Sequence, residues 1–247
     1  MTIISSALPP SPRTAPKALW SSQVLLGPSK ALCLLLLLSG QALADWEQQS
    51  QDKGVSLWTR QAEAGLVEVR AQCEVVTRLS AFVAIMEDMA AMPDWVAYSS
   101  GVERLAKPSS QEDVIHSRFD LPWPARNRDM VTLSRWSQDS DFTLHLKLED
   151  QGQAYPKTKG YVRMEKVEGE WILSPQGGGL VQIRYQGLAD PAGWLPHWLV
   201  NQIAVKSTAK TLGRLCHRIQ GLRYQDSRYP FVTEPPATRT RSEEVKS

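Results

Sequence analysis

Apolar and polar side chains alternate with a period of two along most of the chain between residues 55 and 190. In one such stretch, Val67, Val69, Ala71 and Cys73 alternate with charged or polar neighbours. This alternation is typical of strands that bury one face of a sheet. The pattern predicts antiparallel strands over residues 55–61, 66–76, 102–107, 112–120, 129–137, 141–149, 160–167 and 170–187, with a hairpin turn inside the last.

Three other segments are predicted as helices. The first, Asp45–Lys53, is short and polar, and the second covers residues 78–92 and ends at Pro93, which cannot continue a helix. The third covers residues 196–221, and from Val205 onward its apolar positions recur every three or four residues. Strands grouped together with helices apart from them define the α+β class, here as a curved antiparallel sheet around the last helix.

Residues 1–44 carry the features of a secretory signal peptide with an extended n-region. An apolar block at residues 31–38 follows a basic residue and precedes Ala42-Leu43-Ala44, which has the small-residue pattern of a cleavage site. This block is too short to span a bilayer, which takes about 20 apolar residues. We expect cleavage after Ala44 and export, to the periplasm if the host is Gram-negative and otherwise by secretion. A true start of translation near Val24 would explain the long n-region.

The charge balance changes once that segment is set aside. The whole chain has 28 Lys and Arg against 26 Asp and Glu, a net charge of +2. Without residues 1–44, 25 basic residues remain against 26 acidic ones, so no nucleic-acid partner is expected.

A single domain is predicted over residues 45–232. Residues 233–247, with two prolines and alternating charges, are predicted to be a disordered tail.

Cys73 and Cys216 are the two cysteines of the predicted mature chain. An oxidising compartment would allow them to form a disulfide. However, Cys73 lies in a predicted strand and Cys216 on the apolar stripe of the last helix, and a free cysteine behaves as a small hydrophobic residue. We therefore favour two buried free thiols, while the disulfide stays open as the alternative.

The sequence offers few groups suited to catalysis or metal binding. None of the four histidines has a zinc-binding spacing and no nucleophile-elbow motif is present, so neither a metal nor a cofactor is expected. Gly177-Gly178-Gly179 precedes a strand and is interpreted as a hairpin turn, because a phosphate-binding loop opens a helix. His116 and Glu165 are the only candidates for an acid or base, and no catalytic residue is predicted.

Two sequence blocks occur in an order that resembles a known family. The first contains Pro122-Trp123-Pro124 and Asn127-Arg128-Asp129, and the second runs Asp190-Pro191-Ala192-Gly193-Trp194-Leu195-Pro196-His197-Trp198. Together they resemble the START domain family of lipid-transfer domains over about residues 45–225. The resemblance implies a helix-grip fold, in which a curved antiparallel sheet, two loops and a C-terminal helix enclose an apolar tunnel. It also implies one bound lipid-like molecule and, in some members, its transfer between membranes.

The same resemblance points to candidate site residues. In phosphatidylcholine-binding relatives, the arginine of the Asn-Arg-Asp turn lies near the polar head of the ligand, which implies Arg128 here, with Asp129 as its expected ion-pair partner. The alternative is a pair that only fixes the turn. Trp123 is expected at the tunnel mouth or as a loop anchor, and Trp171 and Tyr185 are expected in the core or the tunnel wall.

The last helix supplies three more candidates. In a helix-grip fold its apolar stripe faces the tunnel, so Val205, Ala209 and Leu212 are candidate lining residues, and plain core packing is the alternative. Arg163 and Arg184 alternate with apolar neighbours and are expected to face solvent. Trp198, near the start of the helix, is expected either at a membrane interface or in the core.

The predicted function is the binding of one lipid, sterol-like or other amphipathic molecule in an internal tunnel, for transport or sensing in the cell envelope. Burial of acyl or ring surface would drive it, at about 25 cal/mol per Å². We expect a monomer that contacts membranes transiently and catalyses no reaction. Two alternatives stay open: a helix-grip enzyme of the cyclase or hydrolase type, and a non-catalytic accessory module that binds a protein partner through the same cavity.

Overall fold

The computed structural model describes residues 45–52 and 54–236, so the predicted signal peptide lies outside the described residues. Ten strands and four α-helices form within this part of the chain. The strands are β1 (Glu47–Asp52), β2 (Val55–Gln61), β3 (Val67–Val76), β4 (Ser99–Ser109), β5 (Glu112–Phe119), β6 (Arg128–Gln138), β7 (Leu144–Asp150), β8 (Val162–Arg163), β9 (Glu165–Gly177) and β10 (Leu180–Asp190). The helices are α1 (Leu79–Glu87), α2 (Met92–Trp95), α3 (His197–Arg218) and α4 (Leu222–Gln225).

All ten strands belong to one sheet. Nine of them lie in the order β1-β2-β3-β10-β9-β7-β6-β5-β4 and pair antiparallel, while the short β8 pairs in parallel with β6. The sheet is curved, and together with α3 it forms the α+β helix-grip fold expected from the sequence. β10, the strand that directly precedes α3, lies inside the sheet because it pairs with β3 on one side and β9 on the other.

The alternating pattern predicts which face of the sheet is buried. In β3, Val69, Ala71, Cys73 and Val75 are buried on the inner face, while their neighbour Glu74 is exposed. In β7 and β9 the buried positions also lie two residues apart. Removal of these apolar side chains from water stabilises the sheet at about 25 cal/mol per Å², and the inner face becomes the wall against which the helices pack.

The longest helix, α3, lies across β2 and β3. Leu212, Leu215 and Cys216 are its buried residues, and they join a core that includes Phe82 of α1. The ring of Phe82 lies 5.5 Å from that of Trp171 on β9, measured between centroids. Aromatic pairs at this separation add to the stability that burial supplies.

Two helix predictions are wrong. Residues 47–52 form the edge strand β1, which pairs with β2. Hydrogen bonding to a neighbouring strand outweighs the weak helix propensity of such a short polar segment. The helix predicted over residues 78–92 ends at Glu87, and a 3-10 turn then leads into α2. Pro93 lies in the first turn of α2 rather than ending a helix, since a proline there removes no helical hydrogen bond.

The prediction of two free thiols is also wrong. Cys73 and Cys216 form a disulfide, with their Cα atoms 6.7 Å apart. The strand alternation turns Cys73 toward the inside of the sheet, and the helical stripe turns Cys216 toward the sheet. The same features that indicated buried thiols therefore bring the two sulfur atoms together and link α3 covalently to β3.

The chain continues as ordered structure after α4. The backbone N–H of Thr233 donates to Gln138 Oε1 at 2.8 Å. The carboxylate of Glu234 accepts the N–H groups of the first two residues of α1 at 3.0 and 2.9 Å. The folded part therefore extends past residue 232, the boundary expected from the sequence, and residues 237–247 of the predicted tail lie outside the described residues.

Candidate functional site

A cavity lies between the inner face of the sheet, α3 and the segment that joins α1 to β4. Its volume is about 330 Å³, and most of its wall is apolar. Sites for small organic molecules have volumes of roughly 300–1,000 Å³ and are mostly apolar with a few polar groups. The size and the lining are therefore those of a site for an apolar or amphipathic molecule.

Aromatic and long aliphatic side chains make up the wall. Trp171, Tyr185 and Leu212 lie in it, and with Arg128 the structure places four of the sequence-predicted site residues at the cavity. The rings of Trp171 and Tyr185 pack at 4.7 Å between centroids. Three flexible thioether side chains, which adapt to ligands of irregular shape, lie in the wall on the α1 to β4 side: Met86, Met89 and Met92.

Two residues predicted to line the cavity from α3 do not. Val205 and Ala209 pack against the core of the sheet, in agreement with the alternative interpretation. The cavity is faced instead by the neighbouring stripe of α3, where Ala204, Thr208 and Thr211 recur at helical spacing. A search for apolar residues alone misses this stripe because it includes hydroxyl side chains. A stripe of small residues beside the apolar one is the signal that could have found it.

Arg128 lies in the cavity wall and is almost fully buried. Its Nε donates to the carbonyl of Pro191 at 3.1 Å and its Nη2 to that of Ala192 at 3.2 Å. Its Nη1 donates to the carbonyl of Arg126. Burial lowers the pKa of Arg128, and the nearby Arg126 lowers it further. The guanidinium therefore joins the loop before β6 to the loop before α3, and its role in orienting a ligand stays a prediction.

The expected ion pair between Arg128 and Asp129 is absent, and Asp129 is bound by Arg163 instead. Nε and Nη2 of Arg163 donate to the two carboxylate oxygens at 3.1 and 2.9 Å. Thr158 also donates to this carboxylate at 2.7 Å, and His116 Nε2 lies 3.0 Å from it. Burial alone would raise the pKa of Asp129, but these hydrogen bonds outweigh burial and lower it.

The prediction that Arg163 faces solvent is wrong. Its neighbour Met164 does line the cavity, as the alternation suggested, so Arg163 lies on the opposite side of the strand. That side is covered by the loop after β7, because the carbonyls of Gly152 and Pro156 accept from Arg163 at 2.7 and 2.9 Å. Strand periodicity gives the direction of a side chain but not whether a loop covers it.

Arg184 is half-buried on the outer face of the sheet. Its Nη2 donates to Gln182 at 2.9 Å, and it lies outside the cavity wall.

Of the two residues considered as an acid or base, neither His116 nor Glu165 lines the cavity. His116 Nδ1 lies 2.9 Å from Glu103 Oε1, and this hydrogen bond lowers the pKa of Glu103.

Three tryptophans project from two loops and the first turn of α3 at the Arg128 end of the cavity. Trp123 is 92% exposed, Trp194 is 90% exposed and Trp198 is 67% exposed. Leu121 and Leu195, close to them in the chain, line the cavity. Trp123 is therefore neither a wall residue nor a packed loop anchor, and Trp198 lies at the surface rather than in the core.

The opposite part of the wall carries charged groups that are paired with one another. Arg104 Nε lies 2.5 Å from Asp113 Oδ1, and Arg104 Nη2 lies 2.8 Å from Glu87 Oε2.

Over residues 45–52 and 54–236, no cluster of three or more His, Cys, Asp or Glu is arranged to hold a metal ion. No helix in the same part of the chain is long and apolar enough to cross a membrane.

A curved antiparallel sheet and a C-terminal helix, here with an apolar cavity between them, define the helix-grip class. The family model of the START domain matches residues 29–224. The chain belongs to the START domain family, whose members bind and transfer lipids and sterols. Most START domains are not enzymes, although some related proteins are cyclases.

Individual relatives agree with this assignment. An uncharacterised protein of Pseudomonas aeruginosa is 28% identical over 177 residues, which are 71% of this chain and 87% of that protein. Human START domain-containing protein 10 is 24% identical over 166 residues, which are 66% of this chain but only 57% of the human protein. The solved structure of a STAR-related lipid transfer protein fragment from Xanthomonas axonopodis is similar with a TM-score of 0.66 and 27% identity, over 71% of this chain and 99% of the fragment.

Proposed function

We propose that this protein is an exported, monomeric START domain that binds one lipid-like molecule in its cavity, for transport or sensing in the cell envelope. The observation that carries the proposal is the apolar cavity of about 330 Å³ that the core leaves unfilled. Unfilled space costs a protein stability, because the side chains around it lose contacts. A bound apolar molecule would restore those contacts and bury its own surface.

Two features support export. Residues 31–44 have the order of apolar block and small-residue cleavage pattern found in secretory signals. The disulfide between Cys73 and Cys216 is of a kind that persists in oxidising compartments and is rare in the cytosol. A lipid carrier in the envelope would need a signal for export, and its disulfide would persist there.

Transient membrane contact follows from the exposed tryptophans at one end of the cavity. Tryptophan is enriched where proteins meet the interface between lipid and water, because its ring is largely apolar and its N–H is polar. The loops that carry Trp123 and Trp194 are joined through Arg128. Movement of these loops on a membrane would open the cavity and let a lipid pass.

The proposal is tested with protein expressed from the full-length chain and purified without detergent. We expect native mass spectrometry to detect one bound lipid per protein, and lipid extraction to identify it. Thr208→Trp, which fills the cavity from α3, should abolish the bound species. Lys206→Trp, on the exposed side of the same helix, is the matched control and should retain it. If no apolar molecule is bound under any supply of lipids, the proposal is wrong.

A further inference from the structure

The phenol ring of Tyr185 is accommodated by two glycines. Gly169 on β9 and Gly187 on β10 are directly paired across the strands, two positions from the pair formed by Trp171 and Tyr185. A Cβ atom at Gly187 would lie 2.8 Å from Tyr185 Cζ, and one at Gly169 would lie 3.3 Å from Tyr185 Oη. A larger residue at Gly187 would displace the phenol, so this pair leaves room for the ring in the cavity wall.

No other described residue makes a hydrogen bond with the hydroxyl group of Tyr185, and burial alone shifts its pKa, although the side chain lies in the cavity wall. Burial raises the pKa of this phenol to about 12, so Oη keeps its proton at neutral pH and remains a donor. A hydroxyl removed from bulk water without a partner costs free energy. A ligand atom that accepts this hydrogen bond would recover that cost.

The charged groups of the wall differ in whether they are paired. Arg104, Asp113 and Glu87 pair with one another at 2.5 and 2.8 Å. Each nitrogen of Arg128 donates to a backbone carbonyl, but Nη1 and Nη2 each carry a second N–H, and the carboxylate of Asp129 is bound by Arg163 instead. The remaining carboxylate of the wall, Glu168, is exposed. A buried charge without a partner is strongly unfavourable, and the buried carboxylates of the wall are already paired, so a cationic group finds no free counter-charge there, whereas an anionic group could pair with Arg128.

We propose that the bound lipid presents an uncharged oxygen, such as an ester carbonyl, a ketone or a hydroxyl, to the donor Tyr185 Oη–H. This inference rests on the proposed function and specifies its ligand class. Two buried hydroxyl side chains in the same wall, Thr132 and Ser134, extend the neutral polar surface along β6. The ligand class would include neutral glycerides, wax esters, and sterol-like alcohols or ketones.

The test compares four probes with the same chain length: tetradecane, methyl myristate, 1-tetradecanol and myristate. Each displaces 1-aminoanthracene, a neutral fluorophore, from the protein at pH 7.5. We expect the ester and the alcohol to bind the native protein more tightly than the alkane. Tyr185→Phe should weaken the ester and the alcohol about fivefold, the scale of one net hydrogen bond, and leave the alkane unchanged.

Tyr161→Phe, outside the cavity wall, is the matched control and should change nothing. Tyr185→Phe removes only an unpartnered hydroxyl, so its thermal unfolding should match that of the native protein. Binding of the ester and the alcohol no tighter than that of the alkane would overturn the inference alone, as would an equal loss for all four probes in Tyr185→Phe. If no probe displaces the fluorophore and no lipid is bound in native mass spectrometry, the proposed function fails and this inference fails with it.

Discussion

The two oxygens of the Asp129 carboxylate are held by one guanidinium, that of Arg163, at 3.1 and 2.9 Å. Both side chains are buried, and they lie opposite each other where β8 pairs with β6. The remaining donors of Arg163 reach backbone carbonyls of the loop after β7. This pair therefore fastens that loop to the strand that follows the Asn-Arg-Asp turn.

Asp129→Asn should destabilise the domain strongly. The substitution keeps the size of the side chain but leaves the buried guanidinium of Arg163 without its counter-charge, which typically costs about 3–5 kcal/mol. Urea denaturation followed by circular dichroism measures the change. Glu149→Gln, which removes a partner from the exposed pair with Arg135, is the control and should cost less than about 1 kcal/mol. Equal effects of the two substitutions would show that the buried pair has no special role.

The same carboxylate should make stability depend on pH in the acid range. Its pKa in the folded protein is lowered, so its contribution is complete above the unfolded value of about 4 and is lost as pH falls through the folded value. The difference in unfolding free energy between the native protein and Asp129→Asn should therefore shrink below about pH 4. Urea titrations at several values between pH 3 and pH 7 measure it. A difference that stays constant over this range would contradict the assignment.

The disulfide should contribute measurably to stability. Because Cys73 and Cys216 are 143 residues apart, their bond closes a long loop in the unfolded chain, and loss of such a bond typically costs about 2–5 kcal/mol. The double variant Cys73→Ala and Cys216→Ala should unfold at lower denaturant concentration than the native protein. A reductant should lower the stability of the native protein toward that of the variant and leave the variant unchanged. Insensitivity of the native protein to reductant would mean that the thiols are free.

The strand pattern predicted more of this fold than of its site. Alternation in residues 66–76 correctly gave the buried face of β3, because the period of a strand follows directly from its backbone geometry. The sequence could not show that Arg163 is covered, since the loop that covers it is close to it only in the folded chain. It also could not decide between thiols and a disulfide, because burial is common to both.

The lining of α3 was mispredicted for a different reason. A helix in this fold touches both the packed core and the cavity, and only the core side demands apolar residues. The stripe with the strongest apolar pattern, which includes Val205 and Ala209, is therefore the one that packs. The cavity side tolerates Thr208 and Thr211, so it has a weaker apolar pattern although it is the functional one.

A pair of substitutions on α3 tests this distinction. Ala209→Trp forces a large ring into packed core, and overpacking of this kind costs about 1–3 kcal/mol or more. Thr208→Trp places the same ring in the cavity, so we expect a much smaller loss of stability together with the loss of bound ligand. Thermal unfolding and native mass spectrometry of both variants measure these effects. If Ala209→Trp is as stable as the native protein but has lost its ligand, Ala209 belongs to the cavity wall after all.

The exposed tryptophans provide the last prediction. Replacement of Trp123, Trp194 and Trp198 by Ala should weaken binding to phosphatidylcholine vesicles about tenfold or more, because three large rings no longer bury apolar surface in the interface. Stability and bound ligand should be unchanged, since all three side chains project into solvent. Sedimentation with sucrose-loaded vesicles measures the binding. Leu222→Ala, which removes an 87% exposed leucine from α4, is the control. An equal loss in this control, or no loss in the triple variant, would exclude these loops as the membrane-contacting surface.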